Sequence, residues 1–163
     1  MIASPDAIDS LRQRLRTCDL CPQSCGVDRT ADERGNCGTG TEAVVCSSGP
    51  HHGEERVLVG QGGSGTIFFS GCNLSCLFCQ NHDISQRVVG QPLEPDALAA
   101  LMLRLEASGC ENINFVTPTH VVHAVAEAIT LARAAGLGVP VVYNCGGYER
   151  ADVIAQLDGL VQI

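Results

Sequence analysis

Apolar residues recur along this chain in two rhythms. Thr66-Ile67-Phe68-Phe69, Ile113-Asn114-Phe115-Val116 and Val141-Val142-Tyr143-Asn144 are short, nearly continuous runs of the kind that form buried strands. Between the first two, Leu98, Leu101, Met102 and Leu105 follow the i, i+3, i+4, i+7 spacing of a helix face. That spacing predicts a helix starting near Pro95 and stopped by Gly109. Thr119 stands where it would N-cap a second helix through about Ala135, with Gly136 to end it. A short helix over Arg150 to Leu157, broken by Gly159, leads into Leu160-Val161-Gln162-Ile163, which reads as the start of a fourth strand. Ahead of these elements lie a short charged helix over residues 8–16 and a stretch from Cys18 to Cys46 dense in Gly, Asp, Thr and Ser.

Alternating strands and helices with short loops predict an α/β fold with parallel pairing and functional residues at the carboxyl ends of the strands. The expected architecture is a partial parallel (β/α) TIM-like barrel of about three to four βα units with a cysteine-rich N-terminal appendage. The expected division is residues 1–50 as a cysteine-rich metal-binding segment and residues 51–163 as the partial barrel. The appendage has too few large apolar residues for a core of its own, so metal is expected to hold it together. A closed eight-unit barrel takes about 250 residues. An uncovered edge and inner face are therefore expected, completed by a partner, by self-association or by a missing C-terminal half.

Composition narrows the partners. Apolar residues make up 45% of the 163 positions, enough for a real core, and the formal net charge of -8 disfavours nucleic acid and anionic membranes, which want a basic face. No run approaches roughly 18 consecutive apolar residues, and residues 1–10 lack the basic and apolar regions of an export signal, so a cytoplasmic protein is expected. Ten cysteines in a reducing compartment more often hold metal than form disulfides.

The strongest motif is SGCNLSCLFCQN, in which Cys72, Cys76 and Cys79 stand as C-x3-C-x2-C just after the first predicted strand. Random placement of the cysteines would give this triplet about 0.04 times per chain. Three thiolates on a [4Fe-4S] cubane leave one iron without a protein ligand, whereas an electron carrier normally supplies four. The amino and carboxylate groups of S-adenosylmethionine (SAM) could chelate that iron, and an electron from the cluster could then cleave the S-C5′ bond to give a 5′-deoxyadenosyl radical. Zinc ligation or free thiols are the bland alternatives. Phe78, between the last two cysteines, is expected to shield the cluster.

Cys18, Cys21, Cys25 and Cys37 form C-x2-C-x3-C-x11-C, a set that would suit a second, closed iron-sulfur cluster or a structural zinc. Cys46 could replace one of them. Cys110 is expected to be a small buried residue, and Cys145 either faces the cavity or packs. His51, His52, Glu54 and Glu55 supply either site groups or a hydrogen-bonded turn. Asn81 and His82 would order the cluster loop, while Asn144 and Tyr148 lie at the mouth of the third strand. His120 is a better site candidate than His123, being nearer its strand end. GQGGSG at 60–65 lacks the Lys-Ser/Thr of a phosphate loop, so its glycines are assigned to backbone freedom.

GSGTIFFSGCNLSCLFCQN resembles the radical SAM superfamily. CDLCPQSCGVDR at 18–29, HHGEE at 51–55, NFVTPTH at 114–120 and YNCGGYE at 143–149 are similar to the branch related to pyruvate formate-lyase activating enzyme. The resemblance implies a SAM-binding barrel with the adenine near the backbone after Phe78 and the methionine end on the cluster. Where many members carry a Gly-Gly-Glu-like motif for the SAM amino group, this chain has Val116-Thr117-Pro118-Thr119-His120. The implied cofactor contacts are Phe78, Asn81, Thr117, Thr119, His120 and Asn144. The implied partners are a reductant protein of flavodoxin or ferredoxin type and a protein substrate that receives a radical. A non-catalytic iron-sulfur module for electron transfer or redox sensing is the alternative, and a zinc-organised interaction domain a third.

Overall fold

In the computed structural model, which describes residues 5–163, eleven helices and strands build one mixed sheet and its cover. In chain order they are α1 (Pro5–Gln13), β1 (Ala43–His51), α2 (Arg56–Val59), β2 (Ser64–Phe69), α3 (His82–Ser85), β3 (Gln91–Leu93), α4 (Pro95–Ala107), β4 (Asn112–Val116), α5 (Val122–Ala134), β5 (Val141–Asn144) and α6 (Ala151–Ile154). Short 3-10 turns extend or connect several of them.

The sheet order is β3-β1-β2-β4-β5. β2, β4 and β5 are parallel, with Ile67 beside Phe115 and Phe115 beside Tyr143. These are the three strands read from the apolar runs. β1 pairs antiparallel with β2 and β3 antiparallel with β1, so the sheet is mixed rather than purely parallel. Neither strand was expected. The first half of β1 alternates buried and half-buried residues, but its second half is Ser-Ser-Gly-Pro-His and largely exposed. β3 is only three residues long and contains Pro92, so no apolar run marks it. Leu160–Ile163 is not a strand, although Gln162 N–H donates to the Val141 carbonyl at 3.0 Å and Tyr143 N–H to the Ile163 carbonyl at 2.8 Å.

Strand alternation puts Ile67, Phe69, Ile113, Phe115 and Val141 on the face covered by α4 and α5. Phe69 and Phe115 stack with ring centroids 5.8 Å apart, and Leu98, Met102, Val125 and Ile129 close the layer. α4 begins at Pro95 and Gly109 follows it with φ +96°, as its pattern predicts. Thr119 does not cap α5. Residues 119–121 form a 3-10 turn, and the Thr119 hydroxyl donates instead to Glu149 Oε1 at 2.7 Å.

Two further expectations change. The N-terminal segment, expected to lack apolar residues for a core, shares the core of the sheet: Leu11, Leu15 and Leu20 are buried in it, and α1 lies against α5. A boundary at residue 50 would fall inside β1. The second face of the sheet is also not bare. Ser64, Thr66, Asn112 and Asn114 are buried there. Ser64 donates to Asn112 Oδ1 at 2.6 Å, and Asn112 Nδ2 donates to the Leu58 carbonyl at 2.7 Å, so the α2 segment closes the amino end of the parallel strands. The carboxyl end is left open.

Candidate functional site

The loop that leaves β2 carries Cys72, Cys76 and Cys79 at the carboxyl end of the parallel strands. Its two halves differ. The first is clamped. Ser70 is fully buried and accepts from His120 Nε2 at 2.9 Å through its carbonyl, while its hydroxyl accepts from Val89 N–H at 2.7 Å. Gly71 has φ +81°, and a Cβ there would stand 2.5 Å from the Cys37 carbonyl oxygen, so only glycine fits. The Asn73 carbonyl accepts from Gln23 Nε2 at 2.7 Å and Asn36 Nδ2 at 3.4 Å, and Asn73 Nδ2 donates to the Tyr148 carbonyl at 3.0 Å.

The second half faces outward. Leu77 and Phe78 are 99% and 91% exposed, so the Phe78 ring points into solvent rather than covering the cysteines. Cys72, Cys76 and Cys79 are half-buried, Leu74 N–H donates to Cys72 Sγ at 3.4 Å, and the Ser85 hydroxyl donates to Cys79 Sγ at 3.5 Å. Among the described residues, no three His, Cys, Asp or Glu side chains converge tightly enough to hold a single metal ion.

Beside this loop opens a cleft of about 380 Å³ lined by Phe68, Gln80, Asn81, Val116, Thr117, Asn144, Cys145, Gly146, His51 and Glu54. It draws on the carboxyl ends of β2, β4 and β5, and its volume falls in the range of about 300–1,000 Å³ usual for small-molecule sites. Three residues named from sequence, Asn81, Thr117 and Asn144, therefore meet in one place. Thr117 has φ +61°, a left-handed conformation that is an outlier for a β-branched residue, and its N–H donates to the Asn144 carbonyl at 2.9 Å. The bond ties the ends of β4 and β5 together at the cleft. His51 Nδ1 lies 3.3 Å from Glu54 Oε1 on its rim.

Thr119 and His120 are placed elsewhere. Both are buried, His120 against Ser70 and beside the N-terminal cysteines. Burial lowers the His120 pKa to about 4, so the ring is neutral at pH 7 and its Nε2–H holds the root of the cysteine loop. His123 is likewise buried, with Nε2 donating to the Thr41 carbonyl at 2.7 Å.

Cys18, Cys21, Cys25 and Cys37 line one small, nearly enclosed cavity with Arg29, Asn73 and His120 among its other walls. Burial, opposed by a backbone hydrogen bond from Gln23 and reinforced by the neighbouring Cys37, Cys18 and Cys25, pushes the Cys21 thiol up to about 11. Cys46 lies in β1, away from this cavity, Cys110 is buried at the end of α4, and Cys145 is exposed at the cleft. Gln23, Asn36, Gly71 and Arg29 were not singled out from sequence. The one available signal was their position, since each stands within a few residues of a cysteine.

Fold and site define an α/β protein with a three-cysteine loop at the carboxyl end of its parallel strands, opening on a cofactor-sized cleft. The radical SAM superfamily profile matches residues 66–162. The chain belongs to the radical SAM superfamily. Its members as a class use a [4Fe-4S] cluster and SAM. An uncharacterized protein of Methanocaldococcus jannaschii is 32% identical over 163 residues, covering 96% of this chain and 46% of that protein. The chain thus spans about half the length of this curated relative. No solved structure matches it. Among the described residues, no helix is long and apolar enough to cross a membrane.

Proposed function

We propose that this chain is the cluster- and SAM-binding part of a radical SAM enzyme, with Cys72, Cys76 and Cys79 as the three protein ligands of a [4Fe-4S] cluster. The observation that carries this reading is the meeting of the three-cysteine loop with a cleft built from the ends of β2, β4 and β5. The donor set fits the group: three soft thiols on one short loop suit an iron-sulfur cluster and leave one iron free. When bound, the cluster supplies the electron that cleaves SAM to a 5′-deoxyadenosyl radical for hydrogen abstraction.

The chain's own residues do the rest. Asn81, Thr117 and Asn144 offer amide, hydroxyl and backbone groups to the polar end of the cofactor, and the strained Thr117 fixes one wall of the cleft. Phe68 and Val116 provide its apolar contact. The clamp on Ser70, Gly71 and Asn73 holds Cys72 in register with the strand end, and the outer half of the loop stays accessible.

Within the superfamily, CDLCPQSCGVDR, HHGEE, NFVTPTH and YNCGGYE support a place near the branch of pyruvate formate-lyase activating enzyme. On that reading the substrate is a partner protein that receives a radical, and the reductant is a protein of flavodoxin or ferredoxin type approaching the exposed Leu77-Phe78 rim.

The test is production of 5′-deoxyadenosine from SAM by anaerobically reconstituted protein with dithionite as reductant. Formation that disappears in Cys76→Ala supports the proposal. A protein that binds iron and sulfide stoichiometrically yet neither cleaves SAM nor changes its cluster spectrum when SAM is added would be an electron-transfer module instead.

A further inference from the structure

The four N-terminal cysteines are brought together by two turns. Cys18 N–H donates to the Val27 carbonyl at 2.8 Å and Gly26 N–H to the Cys18 carbonyl at 3.0 Å, closing residues 18–27 into a knuckle that carries Cys21 and Cys25. Gly38 N–H donates to the Gly35 carbonyl at 3.0 Å, and this second turn brings Cys37 to the same cavity. The turns meet closely: a Cβ on Gly35 would stand 2.8 Å from Cys25 Sγ, and Asn36 N–H donates to that sulfur at 3.4 Å. None of the four is in a disulfide.

Charge gives the second observation. Arg29 is 2% exposed, and its guanidinium donates to the Gly40 and His120 carbonyls, to Thr39 Oγ1 at 3.1 Å, and to Cys18 Sγ at 3.9 Å. Among the described residues, no carboxylate forms an ion pair with it. A buried cation without a counter-charge costs several kcal/mol. The groups beside it that can become anions are the four thiols, and they do so together when a metal takes their protons' place.

We propose that Cys18, Cys21, Cys25 and Cys37 form a second, closed metal centre of four thiolates, with Arg29 as its buried counter-charge. The occupant is an iron-sulfur cluster, because among the described residues no three side chains converge on a single metal ion, whereas a cubane spreads its four thiolates over separate irons. Four protein ligands leave no open position, so this centre does not bind SAM. Its role is to set the backbone of the cysteine loop. Gln23 lies between two of its ligands and Asn36 precedes a third, and both hold the Asn73 carbonyl, while the Cys37 carbonyl abuts Gly71.

The test uses the full chain with Cys72→Ala, Cys76→Ala and Cys79→Ala, which removes the loop site, so its outcome is independent of SAM cleavage. The protein is purified anaerobically and offered zinc, or iron with sulfide. About one centre per chain is expected, with an all-sulfur first shell near ~2.3 Å in X-ray absorption. Iron with acid-labile sulfide is the expected content, and a single zinc ion without sulfide would overturn the proposal. Adding Cys21→Ser and Cys37→Ser should lower the bound metal at least ~10-fold. Absence of stoichiometric metal from the loop variant, a nitrogen or oxygen shell, or binding unchanged by the two serines would overturn the proposal. The absorption measurement does not depend on the serine variants folding.

Discussion

The two cysteine sets of this protein differ in the way a working site differs from a fastener. Cys18 and Cys21 are buried at 7% and 8% exposure, and their segment is closed by backbone turns, a buried guanidinium and core leucines. Cys72, Cys76 and Cys79 sit on a loop whose first half is gripped by that segment and whose second half, from Leu77 onward, faces solvent and an open cleft. Four ligands close a centre, whereas three leave it able to take a small molecule. The loop is therefore anchored on one side and free on the other.

The largest effect should come from breaking the open side. Cys76→Ala is expected to reduce 5′-deoxyadenosine formation to background and to remove the loop cluster, while changing the unfolding free energy of the cluster-free protein by no more than about 0.5 kcal/mol, because Cys76 is half-buried and outside the hydrophobic core. A large loss of stability in denaturant titration would mean that this loop is also structural.

Gly71→Ala strikes the seam between the two sets. The left-handed φ and the contact with the Cys37 carbonyl should together cost about 2–4 kcal/mol. Cluster incorporation at the loop should fall as well, read from iron per chain. A near-neutral result would show that the clamp is loose.

His123 gives a pH signature to the buried side. Burial lowers its pKa to about 3, against an ordinary value near 6.5. Below pH 6.5 the unfolded chain takes up a proton that the folded chain refuses. This histidine's stability contribution is therefore complete above about pH 6.5 and is lost as pH falls toward 3, with a slope approaching about 1.4 kcal/mol per pH unit. Buried His120, its pKa lowered to about 4, acts in the same window, so equilibrium unfolding from pH 7 to 5 should approach about twice that slope, and His123→Gln should remove about half of it. The smallest effect is expected for Gln23→Ala. It removes one hydrogen bond to Asn73 at a cost of about 0.5–1.5 kcal/mol, and should shift the loop cluster's spectrum without abolishing it.

What the sequence revealed follows the strength of its periodic signals. β2, β4, β5 and α4 carry continuous apolar runs or an i, i+3, i+4 stripe and lie where those patterns put them, whereas α5, read from a Thr119 cap to about Ala135, begins only at Val122. β1 and β3 were illegible because one ends in exposed Ser, Gly and Pro and the other is three residues long, held by pairing rather than by its own apolar content. The N-terminal segment looked coreless because Leu11, Leu15 and Leu20 are spread over a helix, a 3-10 turn and a loop that come together only in the core they share with the sheet. In the site, the three-cysteine spacing, the strand-end positions of Thr117 and Asn144 and the place of Asn81 just after the cluster loop were readable. His120 was not. Its place after a strand suggested the cleft, but the 3-10 turn at 119–121 carries it to Ser70.

The division of labour between the two sets is tested most directly by electron paramagnetic resonance on anaerobically reconstituted, reduced protein, with and without SAM, beside the Cys72→Ala/Cys76→Ala/Cys79→Ala variant. The account predicts a cluster signal that shifts when SAM is added and whose SAM-sensitive component vanishes in the variant. A SAM-dependent shift that survives loss of all three loop cysteines would contradict it, because the open iron would then belong to the N-terminal set.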